Sequence, residues 1–141
     1  MKVVMGQLNT WVGDLQGNTD KVIKTALAVE QQEEPIMLVF PELTLTGYPP
    51  EDLLMRESLH DQIEVALQRL ASELPPELYV VVGYPRRAGE QLFNAAGVIH
   101  GGDLVGEYFK QRLPNEVGLD VERYFTAGLA ACRGYAAGTR D

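Results

Sequence analysis

The chain has 141 residues, 45% of them hydrophobic, which is enough for one domain with an ordinary core. Its 12 basic and 20 acidic residues give a net charge of −8, which argues against a surface for nucleic acid or anionic membrane. The single cysteine excludes an internal disulfide, and no apolar run approaches the ~18 residues of a membrane span. We therefore expect a cytoplasmic protein with no membrane segment.

The first part of the sequence predicts a strand, a helix and a second strand. KVVMGQL, from Lys2 to Leu8, begins with a β-branched apolar pair and predicts a short strand. Asn18 or Thr19 can then cap a helix. The helix is indicated by one apolar stripe, which consists of Val22, Ile23, Ala26 and Leu27. IMLVF follows as a continuous apolar run, which is typical of a strand buried on both faces.

The second part predicts another helix and three further strands. The apolar stripe of the helix, between Ser58 and Leu74, consists of Ile63, Ala66, Leu67, Leu70 and Leu74. YVVVGY predicts a strand, and residues 92–100 and 104–110 flank Gly101-Gly102-Asp103 as a hairpin. This order of elements predicts an α/β fold with a parallel or mixed sheet and helices packed on it.

Two charged residues lie at the ends of predicted strands, where catalytic residues are often found. Glu42, in FPELTLTGYPPEDL, follows the IMLVF strand, and open α/β folds bind ligands at the carboxyl ends of such strands. Glu42 is thus a candidate general base, or else a solvated loop carboxylate. Lys110 ends the strand-like GEYFK. Its stem can cover the sheet edge, or its ammonium group can stabilise an oxyanion.

The other residue types that often carry chemistry have no supporting pattern. Cys132 lies in AACRGYAAG, which offers Arg133 but no base and no strand-to-helix turn to activate a thiol. His60 and His100 have no metal-ligand spacing, so no metal site is predicted. Neither a phosphate-binding loop nor GxGxxG is present, so we predict no nucleotide cofactor.

Several motifs occur in an order that resembles the nitrilase, or carbon-nitrogen hydrolase, superfamily. They are GQLNTWVGDLQGN, LVFPELTLTGYPPEDLL, VVVGYPRR, LFNAAGVIHGGDLVGEYFKQRLPN and RYFTAG. GYPPEDLL more narrowly resembles the glutaminase domain of glutamine-dependent NAD synthetases. The resemblance covers residues 1–128 and implies about half of the family's α-β-β-α sandwich domain. Residues 129–141 form a tail outside the pattern, which we expect to be irregular.

The resemblance also implies a reaction and roles for three residues. In the family, a Glu-Lys-Cys triad hydrolyses an amide through a thioester. By resemblance Glu42 is the general base, Lys110 stabilises the oxyanion, and Tyr48 lines a pocket for glutamine. The ammonia released in this branch passes to a separate synthetase domain, and no cofactor is implied for the amidase step.

The sequence also departs from the family pattern. The nucleophile motif, of the type GxxICxDxW, is not found after Lys110, and its role is not transferred to Cys132. Glu116 replaces a pocket tyrosine, and Val121, beside the matching Asp120, stands where an acid is usual. We therefore expect a truncated glutaminase domain that is inactive alone and self-associates through an exposed sheet face or edge. The alternatives are an amidase that uses Cys132, a carbon-nitrogen hydrolase of another branch, and a non-catalytic interaction domain.

Overall fold

The computed structural model describes residues 1–114, 124–128 and 133–134. It contains two α-helices, α1 and α2, and a short 3-10 helix, at Leu15–Leu27, Glu57–Glu73 and Glu51–Met55 respectively. It also contains six strands, β1 to β6, at Lys2–Met5, Ile36–Val39, Tyr79–Ala88, Gln91–His100, Asp103–Phe109 and Arg133–Gly134.

The described strands form one mixed sheet in the order β1-β2-β3-β4-β5-β6. β1, β2 and β3 are parallel, and β3 to β6 are antiparallel. This confirms the predicted mixed sheet and the hairpin at Gly101-Gly102. β3 also pairs with β4 as a hairpin, which the sequence patterns did not predict. In the tail predicted to be irregular, Arg133–Gly134 pairs with β5, and the remaining tail residues lie outside the described residues.

Helix α1 begins earlier than the sequence predicted. Asp14 is the capping residue, and its side chain accepts a hydrogen bond of 3.0 Å from the backbone N–H of Gly17. The predicted caps, Asn18 and Thr19, are buried inside the helix, so that prediction was wrong. The side-chain amide of Asn18 instead donates to the carbonyl groups of two residues outside the helix, Trp11 and Leu45. Asn18 therefore fixes the preceding loop.

Both helices cover the same face of the sheet. On that face Leu38, Val80 and Val82 are completely buried, and the whole predicted stripe of α2 is buried with them. The stripe of α1 is buried except for Leu27, which is 64% exposed because the helix ends there and its side chain points away from the sheet. The helices and this face form the hydrophobic core.

The opposite face of the sheet, here called the open face, is partly exposed. Along β2, Met37 and Val39 are only half-buried, so the prediction of a strand buried on both faces was wrong. The exposed side chains on this face include Val3, Met5 and Tyr108. Since side chains alternate along a strand, the open face is built from the residues between those that contact the helices.

A buried polar cluster joins β3, β5 and α2 on the helix face. The Glu107 carboxylate is 1% exposed and accepts hydrogen bonds from the Tyr84 hydroxyl, at 3.1 Å, and from Arg86 Nε, at 3.0 Å. Arg86 also forms an ion pair with Glu64 of α2. A Cβ atom on Gly97 would overlap the Tyr84 hydroxyl, so only glycine lets the tyrosine reach Glu107.

Two pKa values in this cluster are displaced. Burial raises the pKa of Tyr84, and the negative charge of Glu107 raises that pKa further. Burial by itself lowers the pKa of Arg86, but the hydrogen bond and charge of Glu107 outweigh burial and raise it. Both displacements favour a neutral tyrosine and a charged arginine in the folded chain.

Tyr84→Phe is expected to change how stability depends on pH in the alkaline range. At pH 7 the lost hydrogen bond costs about 1 kcal/mol. Above pH ~10 the unfolded chain loses the tyrosine proton while the folded chain keeps it, so wild-type stability falls by up to about 1.4 kcal/mol per pH unit from this group. The Tyr84→Phe variant lacks this loss, so the difference in unfolding free energy between wild type and variant should narrow as pH rises. Urea unfolding at pH 7 and pH 11 measures it, and a constant gap would contradict the prediction.

Candidate active site

The loop after β2 carries Glu42 across the open face. The Phe40 N–H donates to the Val81 carbonyl at 2.9 Å, and the Leu45 N–H donates to the Gly83 carbonyl at 3.1 Å. The loop thus continues alongside β3 after β2 has ended. A Cβ atom on Gly83 would lie 2.5 Å from the Leu43 nitrogen, so glycine is required for the loop to lie this close to the sheet.

The residue after Glu42 has a strained backbone. Leu43 has a φ of 52°, in the left-handed region, which costs a non-glycine residue about 1–2 kcal/mol. Its side chain is 2% exposed, so burial in the core offsets the strain. Backbone strain of this kind is concentrated at functional sites, where the surrounding structure holds a residue in one geometry.

Glu42 and Lys110 meet although 68 positions separate them in the sequence. The Lys110 Nζ donates to Glu42 Oε1 at 2.7 Å, and the two side chains are 32% and 45% exposed. The side-chain amide of Asn94, on β4, donates to the same Glu42 oxygen. The structure therefore brings together two of the three predicted site residues, and it adds Asn94, which no sequence pattern indicated.

The backbone of Lys110 is fixed on two sides. Its N–H donates to the Asn94 carbonyl at 2.8 Å, and its carbonyl accepts from the Gly128 N–H at 2.9 Å. A Cβ atom on Gly128 would lie 2.5 Å from the Phe109 carbonyl oxygen, so the segment 124–128 approaches β5 closely. The last residue of the RYFTAG motif, Gly128, thus helps to fix the backbone of Lys110.

Tyr48 lies at the end of the same loop but is not joined to the pair. Tyr48 is 46% exposed, and within the described part of the chain its side chain forms no hydrogen bond with Glu42 or Lys110. The preceding Gly47, with a φ of 74°, packs against the backbone of Trp11. Cys132, Glu116, Asp120 and Val121 lie outside the described residues.

Neither a metal centre nor a membrane helix is found in the part of the chain that is described. Residues 1–114, 124–128 and 133–134 contain no group of three or more His, Cys, Asp or Glu side chains that could hold a metal ion. In the same residues, no helix has the length and apolar character needed to cross a membrane.

Gly83→Ala is expected to displace the loop that carries Glu42. Because the new methyl group meets backbone atoms, which cannot rotate away, we expect a destabilisation of about 1–3 kcal/mol. The Glu42–Lys110 contact should also be lost. Gly89→Ala is the matched control, since nothing lies within 4 Å of its added Cβ although its φ is 62°. The control should cost about 1 kcal/mol from its backbone alone and keep the contact. A crystal structure of Gly83→Ala with the loop unmoved would contradict the prediction.

Fold and site together define an α/β protein with a carboxylate–lysine pair beyond the carboxyl ends of β2 and β5. The sequence model of the carbon-nitrogen hydrolase family matches residues 2–139, and the chain belongs to that family. This confirms the resemblance drawn from the motifs. The matched range extends past residue 128, and the boundary predicted there stays a prediction.

Known relatives agree with this assignment. The chain is 38% identical over 125 residues to the glutamine-dependent NAD(+) synthetase of Xanthomonas campestris, covering 89% of this chain and 22% of the relative. The solved glutamine-dependent NAD+ synthetase of Acinetobacter baumannii superposes with a TM-score of 0.82 at 32% identity, over 90% of this chain and 24% of that one. The chain therefore spans about a quarter of the length of these relatives.

An amidase from Nesterenkonia sp. has the same fold. It superposes with a TM-score of 0.76 at 24% identity, covering 92% of this chain and 48% of that one. Together with the 32% identical synthetase structure and the family match, it confirms the predicted nitrilase-like fold, of which the chain covers only part of a domain.

Proposed function

We propose that residues 1–128 form the N-terminal part of a glutaminase-type amidase domain and supply two of its three catalytic groups. Glu42 acts as the general base, and Lys110 stabilises the oxyanion. The observation that carries the proposal is the 2.7 Å contact between Lys110 Nζ and Glu42 Oε1, on a loop and a strand end that are distant in sequence. Family membership makes amide hydrolysis the reaction in which such a pair takes part.

The residue types suit each step of that reaction. Glu42 takes the proton of a cysteine thiol, and the thiolate attacks the carbonyl carbon of the amide. The Lys110 ammonium has three N–H donors, so its bond to Glu42 leaves others for the oxyanion. The proton then passes to the leaving nitrogen, ammonia departs, and water cleaves the thioester.

Glutamine is the proposed substrate. The relatives from Xanthomonas campestris and Acinetobacter baumannii bear the name glutamine-dependent NAD synthetase, and GYPPEDLL is the motif that resembles that branch. Tyr48, which is 46% exposed at the end of the Glu42 loop, is proposed to line the glutamine pocket because the family resemblance implies that role. Another branch of the family would instead prefer a different amide.

The chain by itself is expected to be inactive, because Cys132 lacks the sequence pattern of the family nucleophile. Purified chain incubated with glutamine should release no ammonia above background. Release that disappears in Cys132→Ala would overturn this expectation and assign the nucleophile to Cys132.

A hybrid enzyme tests the proposal directly. In this hybrid, residues 1–128 replace the aligned segment of the Xanthomonas campestris synthetase, which supplies the rest of the domain. The hybrid is expected to release ammonia from glutamine. Asparagine and propionamide are assayed separately as alternative substrates. A folded hybrid that hydrolyses propionamide but not glutamine would favour another branch, and one that hydrolyses no amide would contradict the proposal.

The open face supports a second candidate, an interaction domain. Val3 and Met5, 61% and 76% exposed, lie on β1, which has no further strand beside it within the described sheet. Exposed apolar surface next to an unpaired strand edge favours association with another chain. A non-catalytic role for the scaffold would use this surface.

The purified chain is accordingly expected to self-associate. Sedimentation velocity at about 100 µM should show dimers or larger species, because burial of apolar area drives association. Met5→Lys should shift the distribution toward monomer. Leu27→Lys is the matched control, since Leu27 is 64% exposed but lies on the helix side, and it should change nothing. A monomer with a sharp cooperative melt at this concentration would contradict the prediction.

A further inference from the structure

The two oxygens of the Glu42 carboxylate have different surroundings. Both the Asn94 side-chain amide and the Lys110 ammonium group donate to Oε1. None of the described residues donates a hydrogen bond to Oε2. The Glu42 side chain as a whole is also 45% exposed. The carboxylate is therefore held by one oxygen only.

Asn94 is better suited than Lys110 to decide which oxygen is held. Lysine has a flexible four-carbon stem and a strongly hydrated ammonium group, so by itself it can follow a rotating carboxylate. Asn94 has a short side chain, is 5% exposed, and stands within β4 between β3 and β5. Its amide group therefore points in a direction that the sheet fixes.

Asn94 also connects the two halves of the site. Its side chain holds Glu42, and its backbone carbonyl accepts the Lys110 N–H at 2.8 Å. A displacement of this one residue would move the base and the lysine together. No other described residue is hydrogen-bonded to both Glu42 and Lys110.

We propose that Asn94 is a positioning residue that fixes Oε1 of Glu42 together with Lys110 and so reserves Oε2 for the proton of the thiol. This inference rests on the proposed function, since Oε2 accepts a proton only in the proposed reaction. The two carboxylate oxygens then have different roles: Oε1 anchors the side chain, and Oε2 accepts the proton. The Glu42→Gln amide would consequently present its oxygen to Asn94 and Lys110 and put an NH2 group where the acceptor was.

NMR spectroscopy of the purified 141-residue chain tests the geometry without requiring turnover. Scalar couplings across hydrogen bonds are expected from both Asn94 Nδ2 and Lys110 Nζ to the Glu42 carboxylate carbon. In Asn94→Ala, proton exchange of the Lys110 ammonium group should accelerate by about tenfold, because its partner carboxylate is no longer oriented. In Glu42→Gln, the Asn94 and Lys110 signals should remain, since an amide oxygen still accepts from both.

The control variant is Asn18→Ala, which removes another buried asparagine whose amide donates to backbone carbonyls. It should destabilise the fold and leave Lys110 exchange unchanged. If Asn94→Ala fails to fold, the couplings in the wild type and in Glu42→Gln decide the question. Absence of an Asn94-to-Glu42 coupling, or unchanged Lys110 exchange in a folded Asn94→Ala, would overturn the proposal. An inactive hybrid enzyme with these couplings present would instead count against the proposed function alone.

Discussion

In the hybrid enzyme, Glu42→Gln should lower kcat for glutamine by about 10³-fold and leave KM within about threefold. The amide has nearly the shape of the carboxylate and can keep the contact with Lys110, so binding and folding are preserved. It cannot accept the thiol proton, however, and proton transfer by a positioned base contributes about 10²–10⁴-fold to such reactions. Steady-state ammonia release measures both constants.

Two further variants separate the roles at the site. Lys110→Met should reduce kcat by about 10²–10³-fold through loss of oxyanion stabilisation. The double variant Glu42→Gln with Lys110→Met should have a kcat only slightly lower than that of Glu42→Gln, because the effects of groups that act as a unit are not additive. Glu90→Gln is the matched control, as Glu90 is exposed at the β3–β4 turn, and it should be as active as the parent hybrid. A raised KM with unchanged kcat in Glu42→Gln would mean that Glu42 binds substrate rather than acting as the base.

Arg86→Leu should destabilise the chain by about 3–5 kcal/mol, since it leaves the buried Glu107 carboxylate without its charged partner. That loss is a large share of the about 5–15 kcal/mol that holds a typical domain folded. Replacing both residues, as Arg86→Leu with Glu107→Leu, should be much less harmful because no unpaired charge remains. Urea unfolding followed by circular dichroism measures these differences.

Arg87→Leu is the control for this prediction. Arg87 is the next residue on β3 but is exposed, and its replacement should stay within about 0.5 kcal/mol of the wild type. If Arg86→Leu were as mild as Arg87→Leu, the buried ion pair would contribute nothing to the fold. A double variant as damaging as the single one would show that packing, and not charge, determines the cost.

Local patterns in the sequence were sufficient for the two α-helices, the first five strands and much of the core. The apolar stripe of α2 is buried at all five predicted positions, because a helical period of 3.6 residues puts those side chains on one side. The Gly101-Gly102 turn was predictable because both glycines have positive φ values, 61° and 84°, which other residues rarely adopt. Their places at strand ends made Glu42 and Lys110 candidates only, each with a non-catalytic alternative, and the family resemblance alone gave them catalytic roles.

The strand register, which brings Asn94 into the site, was decided by the tertiary structure. The β4–β5 pairing shifts by one residue between Val98 and Ile99. If the register of the His100–Asp103 pair continued without that bulge, Asn94 would lie opposite Phe109 and not opposite Lys110. With the bulge, Asn94 faces Lys110, and both side chains reach Glu42.

The sequence by itself thus determined an α/β fold of strands and helices, and it contained Glu42 and Lys110 in recognisable motifs. The tertiary structure decided which face of β2 is open, that Glu107 is buried against Arg86, and that Asn94 joins the site. The physical reason is that helical and strand periods are local, whereas a bulge, a buried charge pair and an uncovered face depend on which distant segments lie against each other.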